Sequence, residues 1–119
     1  MSYIIAIVSI VLWWLLSRRA AKGIKQIQTS ALNEMLTQSG HIFIDVRTPA
    51  EYKANHIKQF RNMPLGLDMS VLSKEKNIVV ICQSGMRSMQ ASKRLRKLGY
   101  TSVTNVQGGM SAWVGPIQS

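Results

Sequence analysis

The residues best suited to chemistry are Cys82 and Arg87, at the two ends of Cys82-Gln83-Ser84-Gly85-Met86-Arg87. The apolar run Asn77-Ile78-Val79-Val80-Ile81 leads into Cys82 and reads as a buried strand. Met86 to Leu98 leads away from it with helical periodicity. A strand, a tight glycine-containing loop and a helix start make an anion cradle. Backbone N–H groups point inward, Gly85 permits positive φ, and the helix N-terminus supplies about half a positive charge. Arg87 adds a full one. A thiol held there has its pKa lowered, and the thiolate is the nucleophilic form. A lone cysteine is ordinarily a packing residue; the strand, glycine, arginine and helix around Cys82 favour the chemical role.

Asp45, Arg47, Glu51 and His56 are the other candidates. Arg47 and Glu51 stand four apart around a helix start and are expected to form a structural ion pair. Asp45 is expected to order the loops at the strand ends, and His56 to pack or hydrogen-bond locally. With one cysteine and two histidines, His41 and His56, the chain lacks the four Cys or His ligands of a structural zinc site. No metal site and no cofactor are expected. One cysteine forms no internal disulfide, which fits a reducing compartment.

The elements that position these groups follow from periodicity and punctuation. Ile24 to Thr29 alternates as an edge strand. Ser30 caps a helix through Gln38, with Leu32, Met35 and Leu36 on its buried side and Gly40 ending it. Ile42 to Val46 is a second strand. Thr48, Pro49 and Glu51 start a helix as N-cap, first-turn proline and capping-box partner. That helix ends near Asn55, a residue type that tolerates the left-handed region. In the helix from Met86, Ala91, Leu95 and Leu98 share one face, Lys93, Arg94, Arg96 and Lys97 take the other, and Gly99 stops it. Ser102 to Val106 is a further strand, followed by Gly108-Gly109 and a helical turn through Trp113. Strands apolar on both faces and separated by helices imply an α/β fold, with a parallel sheet covered on both sides. Sites in such sheets lie beyond the carboxyl ends of the strands, where Asp45, Cys82 and Gln107 fall.

The net charge is +10 over 119 residues, from 15 Lys and Arg against 5 Asp and Glu. Arg18, Arg19, Lys22 and Lys25 carry four of those charges, which leaves about +6 from Gln26 onward. Such a balance favours anionic substrates or partners, but no nucleic-acid-binding motif is present and no nucleic-acid partner is expected. Tyr3 to Leu16 is an apolar run of fourteen residues. No Lys or Arg precedes it, Arg18 and Arg19 follow it, and Trp13 and Trp14 sit where an interfacial belt would lie. The expectation is a transmembrane anchor over 1–17, a basic linker over 18–25 and a folded domain over 26–119. The flanking charges would leave that domain in the cytoplasm on a single-pass cell-membrane protein, with membrane lipid among its partners.

From about Ile24 to Trp113 the chain resembles a single-domain rhodanese. The matching motifs are Asp45-Val46-Arg47 with Glu51-Tyr52 and His56-Ile57, the loop Cys82 to Arg87, and Gly108-Gly109 with Trp113. The resemblance implies a parallel sheet of about five strands flanked by helices. It implies a sulfurtransferase that moves sulfane sulfur from a donor such as thiosulfate or a persulfide to Cys82, and then to a thiol, cyanide or protein acceptor. Backbone amides of Gln83, Ser84, Gly85, Met86 and Arg87 would hold the persulfide, and the Arg87 side chain would face an anionic donor. Asp45, Arg47 and Ser88 would support the site.

Some positions depart from the family pattern. Gln83 replaces a second basic residue common after the cysteine, which weakens the case for a dianionic donor. Gln59 and Phe60 replace a Gly-Ala pair and Asn55 a glycine, read as loop changes that reshape the pocket wall. Phosphatases and arsenate reductases share the fold, but phosphatase-type loops resemble Cys-x5-Arg, whereas Cys82 to Arg87 is Cys-x4-Arg, a tighter cradle suited to one sulfur atom. A sulfur-relay or scaffold module with little turnover is the alternative outside enzymology.

Overall fold

The computed structural model describes residues 2–21 and 23–119, with side chains described for 3–16 and from Gly23 onward. Among these residues the chain order is α1 (Ser2–Ala21), β1 (Ile24–Ile27), α2 (Thr29–Met35), β2 (His41–Asp45), α3 (Pro49–Ala54), β3 (Arg61–Asn62), β4 (Asn77–Ile81), α4 (Met86–Lys97), β5 (Val103–Val106) and α5 (Gly109–Ala112). The strands form one parallel sheet in the order β1-β5-β4-β2-β3. The expected strand–helix alternation holds except between β3 and β4, which no described helix separates, and β4 lies at the centre.

Strand β4 shows why the sheet is covered on both sides. Ile78 and Val80 face one cluster with Ala91 and Leu95 of α4, Tyr100 and Val103. Val79 and Ile81 face the other with Leu32 of α2, Phe43, Phe60 and Met110 of α5. These four β4 side chains are fully buried. Removing each from water is worth about 1.5–3 kcal/mol, so both faces must be covered for the strand to hold its place. The chain leaves β2 toward α3 on one side of β4 and leaves β4 through α4 to β5 on the other. The carboxyl ends of β2 and β4 thus flank a topological switch point, where a parallel sheet opens a crevice.

Several expectations are corrected. Helix α2 begins at Thr29 with Gln28 at its N-cap and no side-chain cap, not with Ser30 as cap. Gln107 N–H still bonds the Ile27 carbonyl at 2.8 Å, so one residue remains between strand and helix. The Thr29 hydroxyl instead donates to the Ala112 carbonyl at 3.2 Å. Asn55 is extended (φ −165°, ψ 146°) and not left-handed, because its carbonyl turns toward Arg47. Phe60 is buried against Phe43 at 5.2 Å between ring centroids, as a core residue and not part of a pocket wall.

The membrane anchor is also corrected. Among the described residues no helix is long and apolar enough to cross a membrane. The apolar part of α1 explains the shortfall: fourteen residues at 1.5 Å each give roughly 21 Å, against a hydrocarbon layer of ~30 Å. The single-pass cell-membrane placement with a cytoplasmic domain, and the lipid partner inferred from it, fall with it. Helix α1 continues to Ala21 and β1 starts at Ile24, so the span expected as a basic linker is taken up mostly by these two elements. The side chains of Arg18 and Arg19, and all of Lys22, lie outside the described residues.

Candidate active site

Cys82 extends the alternation of β4. Because Ile78 and Val80 point toward α4, so does Cys82, and its side chain is fully buried in that cluster. Its Sγ accepts the Gly85 N–H at 3.0 Å and lies 3.3 Å from Ser88 Oγ. Gly85 is left-handed (φ 104°) and forms the N-cap of α4, and this turn carries its N–H back to the sulfur. Ser88, one turn into the helix, is fully buried, and its hydroxyl donates to the Gly85 carbonyl at 3.1 Å. The same hydroxyl can rotate to donate to a thiolate. Burial pushes the Cys82 thiol up, but the Ser88 hydroxyl and the backbone N–H groups of Ser88, Gly85 and Ser84 outweigh it, so the pKa lies below the ordinary thiol value. Ser88→Ala should therefore move the thiolate titration upward, followed by ultraviolet absorbance against a Cys82→Ser control. An unmoved titration would show that Ser88 plays no part in holding the anion.

Gly108-Gly109 brings the start of α5 onto this loop. Met110 N–H donates to the Cys82 carbonyl and Ser111 N–H to the Gln83 carbonyl, both at 2.9 Å. With these two carbonyls turned outward to α5, the following N–H groups are free to face the sulfur. Gly109 has φ 55°, and a Cβ there would collide with the Cys82 carbonyl oxygen.

Arg47 is the largest fully buried side chain. Its Nη2 lies 2.9 Å from Asp45 Oδ2, its Nε donates to the same carboxylate at 3.1 Å, and Asp45 is itself fully buried. Nη2 also donates to the Asn55 carbonyl at 2.6 Å, and Nη1 to Gln83 Oε1 at 3.3 Å. Asn62 Nδ2 bonds the carbonyls of Asp45 and Arg47, each at 3.0 Å. One buried ion pair thereby ties the end of β2, the end of α3 and the Cys82 loop together, while Asn62 adds β3.

The expected Arg47–Glu51 pair is absent. Glu51 instead grips Arg87 with both oxygens, at 2.7 and 2.9 Å. The reason is positional: Arg47 precedes the Thr48 N-cap, so it is not on the helix where four-residue spacing brings side chains together. Glu51 reaches back over the α3 N-terminus, which stands beside that of α4 because β2 and β4 are neighbours. The Arg87 bond, first among its causes, holds the Glu51 carboxyl down from 4.5 to about 2, so it is ionised at any ordinary pH. Arg87 is raised in turn, chiefly by Glu51.

The expected site residues divide cleanly. Cys82, Gly85 and Ser88 meet at the sulfur. Ser84 contributes its backbone while its side chain is exposed, and Met86 is 78% exposed. Gln83 is exposed but fastened by its carboxamide to Arg47 and, at 3.0 Å, to Ser111 Oγ. Asp45 and Arg47 form the frame. His56 packs locally as expected, stacked on Tyr52 at 3.7 Å. Sequence reasoning missed Asn62, Ser111 and the Glu51–Arg87 pairing. Among the described residues no group of three or more His, Cys, Asp or Glu is arranged to hold a metal.

Comparison with known proteins agrees with this geometry. The family model for the rhodanese-like domain matches residues 28–116. The Bacillus subtilis protein YtwF is 42% identical over 96 residues, covering 77% of this chain and 92% of its own. A protein of Allochromatium vinosum named sulfurtransferase is 34% identical over 94 residues, covering 76% and 88%. The crystal structure of a rhodanese-like domain protein from Staphylococcus aureus superposes with a TM-score of 0.67 at 30% identity, covering 75% of this chain and 90% of that one. A sheet in the order β1-β5-β4-β2-β3, a cysteine cradled where β4 meets α4, and a family match over most of the chain lead to one assignment: the chain belongs to the rhodanese-like domain family.

Proposed function

We propose that this protein is a sulfurtransferase that carries sulfane sulfur on Cys82, with residues 26–119 as the working domain. The observation that carries this reading is the buried Cys82 sulfur receiving the Gly85 N–H inside a Cys-x4-Arg loop. The names of relatives support it: besides the Allochromatium vinosum protein, thiosulfate sulfurtransferase 18 of Arabidopsis thaliana is 34% identical over 115 residues.

In the first half-reaction the Cys82 thiolate attacks the outer sulfur of the donor. The new Sγ–S bond forms as the donor's S–S bond breaks, and its electron pair leaves on sulfite or on a thiolate. In the second, an acceptor thiolate or cyanide attacks the outer sulfur of the persulfide and Cys82 leaves as thiolate. The inward N–H groups of Ser84 and Gly85 hold the extra anionic sulfur, with those of Gln83, Met86 and Arg87 completing the loop. Ser88 supports the thiolate, while Asp45 and Arg47 keep the loops in register. Since Cys82 is the only cysteine, the persulfide is not resolved by an internal disulfide and passes to an outside thiol, cyanide or protein.

Intact-protein mass spectrometry after exposure to thiosulfate or cysteine persulfide tests the reading. The expected result is a gain of one sulfur atom, reversed by thiol or cyanide and absent in Cys82→Ser. No adduct from either donor would defeat it. Turnover of aryl phosphates, lost in Cys82→Ser, would move the assignment to phosphoryl chemistry.

A further inference from the structure

The chain carries +10 overall, yet the charged groups gathered at the Cys82 loop balance. Arg47 is matched by Asp45 in a fully buried pair, and Arg87 is matched by Glu51 through two hydrogen bonds. Position 83, directly after the cysteine, holds a neutral carboxamide already bonded to Arg47 and Ser111. Counting the Cys82 thiolate, this group of side chains is net negative, and the attraction left for an anion comes from loop N–H groups and the start of α4.

The Glu51–Arg87 pair is more than a loose surface contact. Its side chains are only about one-third exposed, at 33% and 35%, so the pair is partly shielded from solvent. Glu51 Oε1 also accepts the Thr48 N–H and the Thr48 hydroxyl, each at 3.1 Å. The carboxylate is therefore held from its own helix as well as by Arg87, and the pair is preorganised. A dianion approaching Arg87 meets a guanidinium whose charge is already matched by a fixed carboxylate 2.7 and 2.9 Å away.

We propose that Glu51 is a specificity-determining residue: by holding Arg87, it disfavours a dianionic sulfur donor such as thiosulfate and favours a donor of lower charge, a thiol persulfide. This rests on the sulfurtransferase reading above. With a persulfide donor the balance is simple. The Cys82 thiolate attacks the outer sulfur of RS–SH, the Sγ–S bond forms, the RS–S bond breaks, the proton stays on the transferred sulfur, and RS⁻ departs. No oxidant or reductant is consumed.

The test compares loading rates from thiosulfate and from cysteine persulfide on the full chain, read by intact mass. Glu51→Gln removes the charge but keeps an oxygen to accept from Thr48. It should raise the ratio of thiosulfate to persulfide loading on the order of tenfold at low salt, the lower end of what a charged cleft contributes to encounter with an ion. Glu51→Ala, which removes the carboxylate with its Thr48 bonds, should raise the same ratio, so the idea stays exposed if Glu51→Gln folds poorly. A ratio unchanged or lowered in the folded variants would overturn the role of Glu51 and leave the sulfurtransferase reading standing. Failure of the unaltered protein to load from either donor would overturn that reading, and this inference with it.

Discussion

Gly109→Ala is expected to destabilise the domain by about 3 kcal/mol or more and to abolish sulfur loading in whatever protein remains folded. Two costs combine. The backbone at Gly109 is left-handed (φ 55°), which costs an L side chain roughly 1–2 kcal/mol. The added methyl would also strike the Cys82 carbonyl oxygen and lie 2.9 Å from the carbonyl carbon and oxygen of Gln83. These are backbone atoms of the cradle with no rotamer to give way, so the start of α5 must lift off the loop. The bonds from Met110 and Ser111 to the Cys82 and Gln83 carbonyls would go with it. Gly40→Ala is the control: its φ is 86°, but nothing lies within 4 Å of the new methyl, so only the conformational cost of roughly 1–2 kcal/mol applies. Thermal melts of both variants, with mass spectrometry after donor exposure, decide the matter. Equal losses would mean that close packing of α5 on the loop is unimportant.

Asp45→Ala should be comparably severe, at roughly 3–5 kcal/mol, because it strands the buried Arg47 guanidinium without its counter-charge. Against a total stability of ~5–15 kcal/mol, such a loss leaves little margin. Arg47 keeps its bonds to the Asn55 carbonyl and Gln83, so the outcome tests charge more than hydrogen-bond number. Replacing both partners, as in Asp45→Ala with Arg47→Leu, should recover part of the stability, since no charge is then left buried. Sulfur loading should stay impaired in that double variant, because Gln83 and the end of α3 lose their common tie. If denaturant unfolding showed the double variant no more stable than Asp45→Ala, the cost would lie in lost contacts and not in a stranded charge.

These two sites differ in how far they could be read from the sequence. Strand β4 and the helix after it were legible because an unbroken apolar run and a clean helical face each impose one solution. The capping box at Thr48 and Glu51 formed as expected, since every atom it needs lies within four residues. The partner of Glu51 was illegible for the opposite reason. Arg87 is 36 residues away, and only the adjacency of β2 and β4 brings their helix starts together. Arg47 misled because four-residue spacing was applied to a residue outside the helix. Strand β3, Arg61-Asn62, is too short to carry any period and exists because of its pairing with β2. In the N-terminal run, composition pointed to a membrane while length did not support one, and length decided.

The hold of α5 on the Cys82 loop has a consequence for how such a protein can change. The groups that turn the cradle inward are main-chain carbonyls and N–H groups, anchored by glycines and a helix start. The side chains of Ser84 and Met86 stand exposed on its rim. Selection or engineering can rewrite those rim positions to meet a different small molecule or protein, while the cradle beneath is inherited unaltered. The loop works as a fixed socket with an exchangeable collar, and its glycines, not its polar side chains, are the positions least free to drift.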